Sequence, residues 1–87
     1  MLKKVEICIQ SVAGKCPQEF KAGDRWTVVD GKTPQNFCAS AFHSLYPDLL
    51  MLQTGGGYPW AENKNSVVVS CPDAANRAVY ELKRVED

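Results

Sequence analysis

The sequence predicts an α+β domain: a curved antiparallel β-sheet of about four strands, in the order β-β-α-β-β, packed on one central, Pro-kinked helix. Three observations lead there. Residues 3–10 alternate between apolar and polar, residues 38–52 carry apolar side chains at helical spacing, and two more alternating stretches follow at 66–71 and 78–85.

In the first stretch Val5, Ile7 and Ile9 share one face, while Lys4, Glu6, Cys8 and Gln10 share the other, the pattern of a half-buried strand. It ends toward Gly14, and a loop with Cys16-Pro17 follows. Lys21-Ala22-Gly23-Asp24 reads as a turn that launches a strand over 25–29, with Trp26 and Val28 inward, and Asp30-Gly31 closes it. Thr33 followed by Pro34 predicts a helix start, with Thr as N-cap and Pro at the first helical position, where its missing N–H costs nothing. Cys38, Ala41, Phe42, Leu45, Leu49 and Leu52 then form one apolar stripe. Pro47 disfavours helical backbone at Tyr46, which predicts a kink or a handover to a second short helix. Thr54 and Gly55-Gly56-Gly57 stop the helix, and a loop carrying Tyr58-Pro59-Trp60 runs to Asn65. The third strand puts Val67, Val69 and Cys71 on one face; Pro72-Asp73 breaks it; the last strand turns Tyr80 and Leu82 inward.

At 87 residues the chain supports one hydrophobic core, so residues 1–87 are expected to form a single domain. Ten Lys plus Arg balance ten Asp plus Glu. No positive field is present to hold a nucleic-acid backbone or an anionic membrane, and neither partner is expected. No apolar run approaches the ~20 residues of a membrane span. The alternation after Lys3 and Lys4 also lacks the apolar core of a signal peptide, so the expected compartment is cytoplasmic, where thiols stay reduced. A small core benefits from a staple, so a homo-oligomer contact, a metal or a small-molecule ligand are the partners to consider.

The four cysteines, at 8, 16, 38 and 71, include no C-x-x-C pair, so zinc-ribbon and thioredoxin signatures are absent. Cys8 lies on the polar face of its strand, Cys38 in the helix stripe, and Cys71 on the inward face with Val67 and Val69. Cys38 and Cys71 are therefore expected to face the same interior, with Cys16 closing over it. Three thiolates would suit zinc, copper or an iron–sulfur cluster. The plainer alternative is that these cysteines act as small buried hydrophobes; a reactive thiol is the third. His43, the only histidine, sits roughly 140° around the helix from Cys38 and is a poor fourth ligand or general base.

Gly55-Gly56-Gly57 follow a helix, where the dipole repels anions, so a phosphate loop is rejected. They read as a helix stop and hinge, or as a ligand-binding loop (Gly55, Gly56, Gly57, Tyr58, Trp60) over a pocket. Trp26, Tyr46, Tyr58, Trp60 and Tyr80 could line an apolar ligand pocket, but in so small a domain most of them are expected to be core. Asp24, Asp30 and Asp73 adjoin turns and are expected to accept backbone hydrogen bonds, with a proton-carrier role for Asp73 as the alternative.

These motifs, taken in order, resemble a family of small uncharacterised bacterial and archaeal proteins. The resemblance rests on Gly14-Lys15-Cys16, Lys21-Ala22-Gly23-Asp24-Arg25-Trp26, Cys38 with Ala41-Phe42-His43, Leu45-Tyr46-Pro47, the glycines with Pro59-Trp60, and Cys71-Pro72-Asp73. The family's pattern includes Cys16, Cys38 and Cys71 but not Cys8, in agreement with the faces above, and the resemblance implies no particular activity. Members often carry an aromatic or Pro-Trp pair after the middle cysteine, where this chain has Ala39-Ser40. Two functions are expected from the whole: a metal, iron–sulfur or thiol site at Cys16, Cys38 and Cys71, or a non-catalytic small-ligand or protein-interaction module whose cysteines are packing.

Overall fold

The computed structural model of the chain describes residues 2–16, 18–73 and 75–85. Pro17, in the expected Cys16-Pro17 loop, lies outside the described residues. Four strands and one helix follow in the expected order: β1 (Lys4–Val12), β2 (Arg25–Val28), α1 (Ala39–Gln53), β3 (Ser66–Ser70) and β4 (Ala78–Val85). All pairings are antiparallel, and the spatial order is β2-β1-β4-β3. The first and last strands thus lie side by side at the sheet's centre, with Val5, Ile7 and Ile9 opposite Arg84, Leu82 and Tyr80.

The inward faces are those that the alternation predicts. Val5, Ile7, Ile9, Val28, Ala78, Tyr80 and Leu82 are buried against Ala41, Leu45, Leu49 and Leu52 of α1. β1 runs two residues past the clean alternation, to Val12, because a bulge between Ile9 and Ser11 shifts its register against β4. Past the bulge the alternation of faces is lost, so the pattern alone cannot follow the strand to its end.

The helix departs from expectation at its start. It begins at Ala39 rather than Pro34, and Cys38 is its N-cap rather than a mid-helix residue. Asn36 takes a left-handed φ of 57°, which no continuous helix admits. Phe37 turns instead into an aromatic cluster, with ring centroids 4.8 Å from Trp26, 5.7 Å from Tyr80 and 6.2 Å from Phe42. Pro47 sits inside a single helix, and no second helix follows among the described residues. Pro47 and His43 are both exposed, so the carbonyl that loses its donor remains open to water. The C-terminus closes as the glycines predict. Gly55 adopts φ 89°, its N–H bonds the Leu52 carbonyl (3.2 Å), and the Gly56 N–H bonds the Met51 carbonyl (2.9 Å). That is the paired closure of a Schellman motif.

Two aromatic expectations need correcting. Tyr80 is fully buried and Trp26 partly so, but Tyr46 and Trp60 are exposed, Trp60 by 79%. One helix and an open sheet leave the far side of α1 and the loop after it without a covering layer. Among the described residues no helix is long and apolar enough to cross a membrane.

Candidate functional site

Three chain segments meet at the N-terminal end of α1. The loop after β1 brings Cys16, the N-cap of α1 is Cys38, and Cys71 follows β3 directly. All three line one cavity of about 180 Å³, together with Gln18, Ser40, Asp73, Asn76 and Tyr80. This is smaller than the ~300–1,000 Å³ of a drug-sized pocket and suits a small ligand.

Each sulfur has its own means of placement. Cys71 extends the β3–β4 ladder: its N–H bonds the Ala78 carbonyl (2.9 Å) and its Sγ accepts the Ala78 N–H (3.2 Å). Cys38 occupies the position where Ser, Thr, Asp or Asn would normally cap a helix, yet it makes no side-chain capping bond, and the first turn holds no acidic residue. The free N–H groups of that turn lie beside Ser40 and Ala41, both of which line the cavity. A ligand with net negative charge would meet the positive end of the helix there.

Cys16 lies in a loop whose direction no periodicity reveals, and tertiary contacts aim it. Asp73 Oδ1 accepts the N–H groups of Ala75 and Asn76 (3.1 and 3.2 Å) and so shapes the turn. Asn76 Oδ1 in turn accepts the Lys15 N–H at 3.0 Å. Gly14 makes this docking feasible, since a Cβ there would lie 2.6 Å from Asn76 Oδ1 and 3.0 Å from the Ala75 carbonyl, at a φ of 89°. The Gly14-Lys15-Cys16 and Cys71-Pro72-Asp73 motifs are thus two sides of one contact. Cys16 ends up only 9% exposed.

Tyr80 forms the floor. Its phenol is pushed well above the ordinary tyrosine value, first by burial and then by the neighbouring thiols of Cys71, Cys16 and Cys38. A protonated phenol remains available as a hydrogen-bond donor at any physiological pH.

The four cysteines are free thiols. Among the described residues, no group of three or more His, Cys, Asp or Glu side chains is arranged to hold a metal ion. Cys8 and His43 do not belong to the cavity lining. Nor does the glycine loop, which sits at the opposite end of α1, about 22 Å away along a 15-residue helix. There Tyr58 donates to Asp48 and stacks on Trp60, with centroids 4.8 Å apart. Of the aromatics that could line a pocket, Tyr80 lines this one; Gln18 and Asn76 carry no site signal of their own in the sequence, beyond the turn chemistry around Asp73.

In comparison with known proteins the chain matches no family model, no curated protein and no solved structure.

Proposed function

We propose that the chain is a thiol-site protein, in which Cys16, Cys38 and Cys71 bind a small, soft ligand through sulfur. The observation that carries this is the convergence of three thiols, from three separate segments, on one cavity that Tyr80 also lines. Thiophilic metal ions head the ligand class, because three thiolates suit zinc, copper or an iron–sulfur cluster. A zinc ion with three thiolates carries net negative charge, which the uncapped start of α1 would favour. Binding would draw the sulfurs inward until each is about 2.3 Å from the metal. The resemblance to the family of small bacterial and archaeal proteins is part of the same proposal, since its motifs include these three cysteines.

Anaerobically purified protein should be tested by metal analysis, by thiol titration and by titration with Co²⁺. Bound metal, or a sulfur-to-cobalt charge-transfer band lost in each single Cys→Ser variant at 16, 38 and 71, supports the reading. Metal-free protein with fully titratable thiols and no such band retires it.

The exposed Trp60, stacked on the half-buried Tyr58, favours a second reading, a ligand- or protein-interaction module whose cysteines are packing. In that case a Cys38→Ala, Cys71→Ala double variant keeps its binding at some cost in stability, while Trp60→Ala loses it.

A further inference from the structure

The thiol cavity leaves the outer edge of β3 without a role. The phase of the β3–β4 ladder is set at its ends, where the Arg84 N–H bonds the Asn65 carbonyl (2.7 Å) and the Cys71 N–H bonds the Ala78 carbonyl (2.9 Å). Odd-numbered residues from Asn65 to Cys71 therefore direct their backbone groups to β4. Ser66, Val68 and Ser70 direct theirs outward, and among the described residues no group outside the sheet pairs with them. Protein edges are usually blunted by lysine, proline, a bulge or a covering element. β3 has no charge, no proline and no bulge, and Val68 is 57% exposed. The other edge, β2, is four residues long and carries Arg25.

β3 is also self-complementary. Ser66-Val67-Val68-Val69-Ser70 reads the same in both directions. An antiparallel copy centred on Val68 would pair Val68 with Val68 and Ser66 with Ser70. Those are the residues whose backbone groups point outward, so each free N–H meets a free C=O.

A second feature adds apolar surface beside this edge. Phe42 packs on Phe37, which packs on Trp26 of β2, so that flank of α1 faces β1 and β2. Asp48 lies about 120° around the helix from Phe42, on the flank toward β3. Tyr58, half-buried, is bonded to Asp48 and stacks on the exposed Trp60, so this aromatic pair stands on the β3 side. A two-fold axis normal to the sheet keeps both helices on one face and brings both aromatic pairs to the junction.

We infer that β3 is a homodimerisation edge: two copies join β3 to β3, antiparallel about Val68, doubling the four-stranded sheet, with Tyr58 and Trp60 of each copy flanking the seam. The inference is independent of the thiol site.

Sedimentation of the full chain under reducing conditions, from micromolar to millimolar, tests it alongside Val68→Pro and Val68→Lys. Proline removes only an outward N–H, and lysine places like charges across the axis. Dimerisation is expected in the parent chain and at least about tenfold weaker in both variants, at unchanged far-UV circular dichroism. Amide exchange at Ser66, Val68 and Ser70 should slow as concentration rises. A parent chain that stays monomeric overturns the inference, whether or not the edge accepts a strand from another protein. So does a dimer whose affinity survives Val68→Lys with those three amides unprotected. If Val68→Pro fails to fold, the lysine variant and the exchange data decide.

Discussion

Arg84 reaches from β4 to the end of α1 and donates from Nη1 to the Leu52 carbonyl at 3.0 Å. The same guanidinium donates to the carbonyls of Gly56 (2.9 Å) and Lys64 (3.1 Å) and to Asn65 Oδ1 (2.6 Å from Nη2). Among the described contacts all its acceptors are neutral oxygens, and two of them belong to the C-terminal end of the helix, where the dipole favours a cation. One side chain thereby fastens the helix, the glycine loop and the start of β3 to the central strand.

Replacing Arg84 with methionine, which keeps much of the stem, should cost about 2–4 kcal/mol, because four acceptors, the part-buried carbonyls of Leu52 and Gly56 among them, lose their donor together. Lysine has no planar fork and should recover only part of this. Urea denaturation of both variants checks the order: parent, then lysine, then methionine. Equal stability of parent and methionine variant would show the fan of bonds to be energetically idle.

Gly14→Ala should cost about 1–3 kcal/mol, since the residue would be both left-handed and in collision with Asn76. Relief requires the loop to lift off the 71–77 turn. Cys16 should then be alkylated faster than in the parent, as mass spectrometry of trypsin-cleaved protein would show, while Cys8, on the far face of the sheet, keeps its rate.

Stability should fall in alkaline solution on account of Tyr80. Below pH 10 its phenol is protonated in the folded and unfolded chains alike, so its contribution is fully present. Above pH 10.0, the ordinary value, the unfolded phenol ionises while the folded one resists, and the balance shifts toward unfolding. Thermal melts from pH 8 to 11.5 should show the decline, and Tyr80→Phe should make it shallower. Tyr58 is shifted in the same direction, chiefly by its hydrogen bond to Asp48. A phenol absorbance titration should therefore show late-ionising tyrosines.

Leu45→Ala removes a fully buried side chain from the middle of the helix–sheet contact. A cost of about 3–5 kcal/mol is expected, large for a domain of this size, with chemical denaturation as the measurement.

Periodicity made much of this architecture legible. The inward phase of Val5, Ile7, Ile9, Tyr80 and Leu82, the stripe through Leu45, Leu49 and Leu52, and the glycine stop at Gly55 are local patterns, and each lies in the structure as the spacing predicts. Where a local signal competed with tertiary packing, the packing prevailed. Thr33 and Pro34 offer good helix-start chemistry, but Phe37 gains more by joining Trp26 and Tyr80, and the helix begins after it. Sequence alone therefore determined the fold class, the buried faces and the separation of Cys8 from the other cysteines. The tertiary structure decided the direction of Cys16, the capping place of Cys38, the one cavity that all three cysteines share with Tyr80 and the separation of the glycine loop from that pocket. Alternation reports which side of one element is buried. It is silent on how loops dock on one another, and here that docking depends on the Asn76 bond to the Lys15 backbone and on the missing side chain of Gly14.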